Sequence, residues 1–159
     1  KASVILAVDI AEDKLELARK LGATHTLLIT PGMDVPEAMK ELVPQGLDYV
    51  FDAIGKIVTT EQAIKALGLG GCAVVVGLPP TGQTAQFDPL VLAEADQRIL
   101  GCNYGSTVPQ RDIPRLVDEL MSGDLDLESM ISARRPLDEA ESALADLNSG
   151  AALRQLLLP

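Results

Sequence analysis

The chain has 159 residues, of which 47% are apolar, and this is enough for one ordinary domain with a sizeable hydrophobic core. One histidine, two cysteines and no tryptophan leave few side chains for a metal site, a Cys/His dyad or base stacking. The formal net charge of −10 produces a field that repels phosphate backbones and anionic lipids. Composition therefore excludes nucleic acid and membrane surfaces as preferred partners and disfavours a complete metalloenzyme.

The sequence contains neither a long uninterrupted apolar run nor the charged, apolar and small-residue succession of a targeting segment. We therefore expect a cytoplasmic protein. Cys72 and Cys102 lie far apart inside apolar runs, unlike the closely spaced cysteines of a zinc site or a disulfide framework. The pattern predicts buried, reduced thiols.

Short β-branched runs alternate with amphipathic segments along most of the chain. In chain order they predict strand Ser3–Val8, helix Glu12–Leu21, strand Thr24–Thr30, helix Val35–Val43, strand Leu47–Ile54, helix Thr59–Leu67, strand Cys72–Val76, strand Arg98–Tyr104, helix Ile113–Met121, helix Leu137–Leu147 and strand Leu153–Leu158. Gly68, Gly70 and Gly71 are predicted to form a helix-to-strand turn. The Pro79–Pro89 segment is the longest predicted loop. Such alternation indicates an α/β fold around a mainly parallel sheet.

Asp9 ends the first predicted strand, the position at which open parallel sheets bind ligands. Its carboxylate could accept both hydroxyl protons of an adenosine ribose, or it could simply cap the following helix. Lys14 could reach the same ribose or be solvated. A dinucleotide-binding G-x-G-x-x-G motif would be expected about 20 residues before such an acid, but only eight residues precede Asp9. His25, the sole histidine, is interpreted as structural or surface-exposed.

Several segments follow one another in a recognisable order: Val4–Asp9 with Lys14, Leu21–Thr24, Tyr49–Gly55, Gly71–Pro80, Leu100–Gly101 and Asn148–Arg154. In this order they resemble the zinc-dependent medium-chain alcohol dehydrogenases. The resemblance covers nearly the whole chain but only the later, coenzyme-binding half of a family member. Gly105–Pro114 is most similar to the bacterial thiol-dependent formaldehyde and aryl-alcohol dehydrogenase branch.

The resemblance implies that the cofactor is NAD. By similarity, Asp9 and Lys14 hold the adenosine ribose, and a carboxylate there would repel the 2′-phosphate of NADP. The remaining implied contacts are made by Ile54 and Gly55 between adenosine and nicotinamide, by Val76, Gly77 and Leu78 on the nicotinamide side, by Cys102, Asn103 and Tyr104 at the carboxamide, and by Arg154 at the pyrophosphate. An arginine fork suits a pyrophosphate partner.

The implied fold is a partial Rossmann domain, with a doubly wound, mainly parallel sheet, over residues 1–121. Residues 122–159 would return to a catalytic domain. The first Rossmann strand and its glycine-rich loop are not found in this sequence. Because that strand is central in the order 3-2-1-4-5-6, its absence leaves two strand edges separated by about 10 Å. We therefore expect a fragment whose gap is filled by another segment or another chain, unless its strands rearrange.

The implied reaction is hydride transfer between an alcohol and NAD, with zinc as Lewis acid in the complete enzyme. No catalytic residue and no metal ligand is predicted in this chain, which is expected to be inactive alone. Residues 98–104 are expected to pair across a homodimer axis. The alternative is a truncated, non-catalytic dimerisation or interaction module that no longer binds NAD.

Overall fold

The computed structural model describes residues 2–150 and 152–159. The chain forms two compact units, Lys1–Ser106 and Thr107–Pro159, which are described separately. The sequence instead predicts a functional boundary after residue 121. The division into a coenzyme-binding portion and a segment that returns to a catalytic domain stays a prediction.

The first unit alternates strands with helices, as the periodicity predicts. Its elements are β1 (Leu6–Asp9), α1 (Glu12–Lys20), β2 (His25–Leu28), α2 (Val35–Leu42), β3 (Leu47–Asp52), α3 (Ile57–Lys65), β4 (Leu67–Val75), α4 (Pro89–Glu94) and β5 (Arg98–Gly101). α2 begins where the Asp34 carboxylate accepts a hydrogen bond from the Glu37 amide, and Pro36 suits the first turn because it needs no amide partner there.

The strands of this unit form two separate parallel sheets. β1 pairs with β2, and β3, β4 and β5 pair side by side in that order. In the second sheet Asp52, Val75 and Gly101 lie in register, so β3, β4 and β5 end at the same edge. The predicted α/β fold with a partial, mainly parallel Rossmann-like sheet is confirmed.

Three details of the first unit differ from the sequence predictions. Gly68, Gly70 and Gly71 lie within β4, where the register between β3 and β4 shifts, rather than in a turn before the strand. The left-handed φ of Gly70 accommodates this irregularity. β5 ends at Gly101 and not at Tyr104, because the backbone turns sharply after Cys102. α4 lies in a region for which no helix is predicted.

Helix α2 connects the two sheets through the core. Val35 and Met39 are buried with Ala66 and pack against apolar side chains from both sheets. Those partners are Leu6, Val8, Leu27, Ile29, Met33, Leu47 and Val50. The sheets therefore share a core although no strand pairing joins them among the described residues.

A groove, here called the strand slot, separates β1 from β3. Its volume is about 590 Å³, and Met39 and Val43 from the α2 side line it together with both strands. The strand residues lining it include Ile5, Leu6, Val8, Tyr49, Val50 and Phe51. Tyr49 and Phe51 stack with ring centroids 6.4 Å apart and remain more than half exposed. β1 and β3 have therefore not closed the gap by pairing directly, which is consistent with the two separated edges expected from the sequence.

The second unit contains α5 (Pro109–Ser122), β6 (Ile131–Pro136), α6 (Ala140–Ser149) and β7 (Arg154–Leu158), with β6 and β7 parallel. At the start of α5, the Arg111 guanidinium lowers the pKa of the Asp112 carboxyl, and a hydrogen bond from the Val108 amide lowers it further. The same carboxylate thus satisfies an otherwise free amide at this helix end. In the described ranges, no helix is long and apolar enough to cross a membrane.

Candidate functional site

The segments that follow β3, β4 and β5 meet at one edge of the second sheet. This edge, here called the coenzyme edge, consists of residues 54–55, 76–78 and 102–104. It forms because the in-register residues Asp52, Val75 and Gly101 end three neighbouring parallel strands. Parallel α/β sheets bind ligands beyond the carboxyl ends of their strands. The structure therefore brings eight of the predicted site residues to a single edge.

Gly55 and Gly77 cross at very short range in the middle of this edge. A Cβ atom on Gly77 would lie 2.1 Å from the Gly55 nitrogen, and a Cβ on Gly55 would lie 2.7 Å from the Leu78 nitrogen. Gly55 also adopts a φ of +78°, which strongly favours glycine. Neither position accepts a side chain, so two backbone segments approach each other as closely as their atoms allow.

Apolar side chains stand exposed on both sides of this crossing. Ile54 is 55% exposed and Leu78 is 83% exposed, while Val76 is half-buried. Exposed apolar side chains of this kind suit van der Waals contact with a flat, partly apolar ligand. The residues present therefore fit the nicotinamide side of a dinucleotide.

The third segment of the edge turns with unusual backbone geometry. The Cys102 amide still donates to the Val75 carbonyl, at 2.9 Å, and thereby extends the β4–β5 ladder by one residue. Tyr104, Gly105 and Ser106 then all have positive φ values, two of them at residues with side chains. Left-handed geometry at such residues is costly and concentrates at binding sites, so this turn favours a ligand-related role. Tyr104 is 90% exposed.

Asp9 lies at the carboxyl end of β1, on the first sheet. Its Oδ1 accepts a hydrogen bond from the Ala11 amide at 2.9 Å, the one hydrogen bond that its side chain makes among the described residues. The N-cap of α1 is Ala11, and no side chain caps this helix. The carboxylate thus orders the turn before α1 and keeps Oδ2 available. Lys14 is half-buried in the first turn of α1, and none of the ion pairs within the described residues involves it.

Arg154 belongs to the second unit, where it is the exposed first residue of β7. No hydrogen bond or ion pair of its guanidinium occurs among the described residues, so its charge is available for a ligand. Its predicted role at a pyrophosphate stays a prediction.

Asp52, a buried carboxylate directly beneath the coenzyme edge, is not among the site residues predicted from the sequence. It is 5% exposed and binds groups in the turn after β3, in α3 and in the segment after β4. The available signal was an acid ending an apolar strand, followed by the hydroxyl pair Thr59 and Thr60 in the next helix. Buried acids need such donors.

The described residues contain no group of three histidine, cysteine or acidic side chains that could hold a metal ion. Cys72 is buried in the core, and Cys102 is half-buried at the edge. Because zinc requires three or four such ligands, the residues present do not fit a zinc ion. A larger cavity of about 640 Å³, here called the helix cleft, is lined by α2, α3 and residues 86–91. It holds none of the predicted site residues.

Comparison with known proteins supplies the family. The family model described as zinc-binding dehydrogenase matches residues 1–122. The chain belongs to the zinc-binding dehydrogenase family. The resemblance to the C-terminal, coenzyme-binding portion of zinc-type medium-chain alcohol dehydrogenases is therefore confirmed.

Individual relatives align with almost the whole of this chain. An S-(hydroxymethyl)glutathione dehydrogenase of Schizosaccharomyces pombe is 29% identical over 96% of the chain and 40% of that protein. Benzyl alcohol dehydrogenase from Acinetobacter calcoaceticus is 36% identical with a TM-score of 0.89, over 97% of this chain and 42% of that one. A zinc-binding dehydrogenase from Sinorhizobium meliloti, whose structure contains NADP, is 29% identical with a TM-score of 0.86, over 99% and 46%. This chain thus spans less than half the length of each of these relatives.

Proposed function

We propose that this chain binds NAD along the coenzyme edge and serves a dehydrogenase that transfers hydride between an alcohol and this coenzyme. The observation that carries the proposal is the convergence of residues 54–55, 76–78 and 102–104 at one edge, around a crossing of Gly55 and Gly77 that has no room for a side chain. When bound, the nicotinamide supplies the carbon that accepts or donates hydride.

The chain's own residues bind and orient the coenzyme in this proposal. Asp9 and Lys14 hold the adenosine ribose, and Ile54 and Gly55 contact the middle of the dinucleotide. Val76–Leu78 and Cys102–Tyr104 support the nicotinamide and its carboxamide. The guanidinium of Arg154 pairs with the pyrophosphate, a role suited to its permanent charge. No step is assigned to zinc, because the described residues offer it no ligand set.

The carboxylate of Asp9 supports a preference for NAD over NADP. A relative with 29% identity contains NADP, so the preference of this chain for NAD rests on its own local charge at the ribose. Oδ1 of Asp9 is engaged by the Ala11 amide, and Oδ2 remains for a ribose hydroxyl. A 2′-phosphate at the same place would bring two anions into contact.

Asp9→Ser should therefore reduce the ratio of the NADP to the NAD dissociation constant by about tenfold. Serine keeps a hydrogen-bonding oxygen for the Ala11 amide but removes the charge. Both dissociation constants are measured by titration of the wild-type and variant chains. Asp13→Ser, which removes the same charge from an exposed position on α1, is the matched control. An unchanged ratio in Asp9→Ser, or an equal reduction in Asp13→Ser, contradicts the assignment.

The chain alone is proposed to bind NAD weakly and to lack catalytic activity. The sequence offers no glycine-rich loop at a helix N-terminus to bind the pyrophosphate, and the strand slot leaves the two sheets without direct pairing. An added strand and loop would supply both. The expected cytoplasmic location stays a prediction.

A homodimer through residues 98–104 is part of the proposal. Among the described residues β5 pairs on one side, with β4, and its Leu100 side chain is half exposed. A free strand edge of this kind favours pairing with a second copy. The relatives named for S-(hydroxymethyl)glutathione and benzyl alcohol support a thiol-linked aldehyde or an aryl alcohol as the substrate class.

A non-catalytic dimerisation module remains the second candidate, and the free edge of β5 is the observation that favours it. An NADH titration separates the two candidates. A dimeric chain without any coenzyme binding, even after the missing strand and loop are supplied, supports the module and contradicts the proposed coenzyme role.

A further inference from the structure

We propose that Asp52 is the positioning residue of the coenzyme edge: its carboxylate fixes the backbone that follows β3, and its carbonyl the backbone that follows β4, in the form that receives the nicotinamide half of the coenzyme. The proposal rests on the proposed function for the identity of the ligand. The positioning itself rests on contacts within the chain.

The Asp52 carboxylate binds both the turn after β3 and the first turn of α3. Its Oδ1 accepts hydrogen bonds from the Ile54 amide at 3.1 Å and the Thr59 hydroxyl at 2.9 Å, with the Gly55 amide at 3.5 Å. Its Oδ2 accepts from the Thr60 hydroxyl at 2.6 Å. The amide directions of residues 54 and 55 are thus set by one buried acid.

The backbone of the same residue binds the end of β4. The Asp52 carbonyl accepts from the Val76 amide at 2.9 Å and from the Gly77 amide at 2.8 Å. Asp52 therefore holds both segments of the Gly55–Gly77 crossing, one through its side chain and the other through its backbone. Because a Cβ on Gly77 would already collide with Gly55, a small shift of either segment alters the edge.

Burial of this charge requires compensation. None of the ion pairs between described residues includes Asp52, so its negative charge is balanced by amides, hydroxyls and the N-terminal end of α3. Burial of a carboxylate is costly unless its hydrogen bonds are made. Here those bonds reach Ile54 and Gly55, which flank the exposed apolar surface of the edge. Thr60 has the shortest contact and is itself buried.

The test compares Asp52→Ala, Asp52→Asn and Thr60→Val with Asp34→Asn, an N-cap variant of α2 away from the edge. Amide hydrogen exchange and NAD-induced amide shifts are measured on the 159-residue chain. ADP-ribose is titrated in parallel, because it has the adenosine half and lacks nicotinamide. In Asp52→Ala, exchange of the Ile54 and Gly55 amides should accelerate by about tenfold or more, whereas the Val76 and Gly77 amides keep the carbonyl of residue 52 as their acceptor.

The affinity for NAD should fall in Asp52→Ala by about fivefold or more relative to that for ADP-ribose. Asp52→Asn should restore most of this ratio, because its side-chain oxygen still accepts from Ile54. Thr60→Val should be intermediate, and Asp34→Asn should leave the ratio unchanged. A purely structural role would weaken both ligands alike, and an unchanged ratio in Asp52→Ala overturns the proposal.

If neither ligand binds, even with the strand and loop supplied, the proposed function fails and exchange alone decides the role of Asp52. Acceleration confined to residues 54 and 55 in Asp52→Ala then supports positioning, and uniform or absent acceleration overturns it.

Discussion

Gly77→Ala should lower the free energy of unfolding of this chain by about 3 kcal/mol, the upper range for forcing an extra group into a packed site. The added Cβ would lie 2.1 Å from the Gly55 nitrogen and 2.7 Å from the Ile54 carbonyl carbon. Both are backbone atoms, held in turn by the Asp52 hydrogen bonds, so no flexible side chain can move aside. Urea unfolding followed by far-ultraviolet circular dichroism measures the change, since the sequence has no tryptophan.

Gly101→Ala is the matched control for this experiment. Gly101 lies in register beside Val75, at the end of β5, and a Cβ there would meet no atom within 4 Å. Its backbone is also outside the left-handed region, so alanine should leave stability unchanged or raise it by about 0.5 kcal/mol through the unfolded state. If both variants unfold at the same urea concentration, the close glycine crossing is not a feature of the folded chain.

An added strand in the slot between β1 and β3 should raise the free energy of unfolding by about 3 kcal/mol. The slot is lined by apolar groups from both strands and by Met39 and Val43. Each buried Val, Ile or Leu side chain stabilises by about 1.5–3 kcal/mol, and ordering the added backbone offsets about 1–2 kcal/mol per residue. The occupant should run parallel to both neighbours, because the pairs on either side are parallel.

The test attaches an extension ahead of Lys1 that consists of an apolar strand, a glycine-rich turn and a crossover helix. A crossover of this kind is what adjacent parallel strands require. The same extension with prolines in the strand is the control, since proline cannot donate to a ladder. The active extension should also tighten NAD binding by about tenfold or more, because the turn offers amides to the pyrophosphate. Equal stability of the two extended chains contradicts the slot account.

The helices and strands that the sequence predicts best are those that contain a continuous or periodic run of apolar residues. β1, α1, β2 and α2 lie within a few residues of their predicted bounds, because the spacing of their apolar residues is typical of a strand or of a helix. β6 is missed because half of its positions are exposed and two are arginines, so it has no apolar run. α4 is not predicted, although Asp88 and Pro89 form a helix start, because the prolines of the Pro79–Pro89 segment favour a loop.

Some residues of the candidate site can be predicted from the sequence, and others can be recognised only in the folded structure. Asp9 and the strand ends can be predicted as candidates because they follow apolar runs at recognisable positions. The glycine crossing and Asp52 cannot, because both depend on how β3, α3 and β4 pack, with Gly77 placed against Gly55 by strand register. The position of Gly68, Gly70 and Gly71 within β4 could not be predicted either, because it depends on the register shift between β3 and β4.

Assigned amide spectra of the 159-residue chain, recorded as NAD is added, test the proposed coenzyme edge most directly. Without a pyrophosphate-binding loop, we expect a dissociation constant on the order of 1 mM, which corresponds to about −4 kcal/mol. The amides that shift should be those of Asp9, residues 54–55, 76–78 and 102–104. Shifts confined to the helix cleft, or none at saturating NAD even with the strand and loop supplied, would contradict the account.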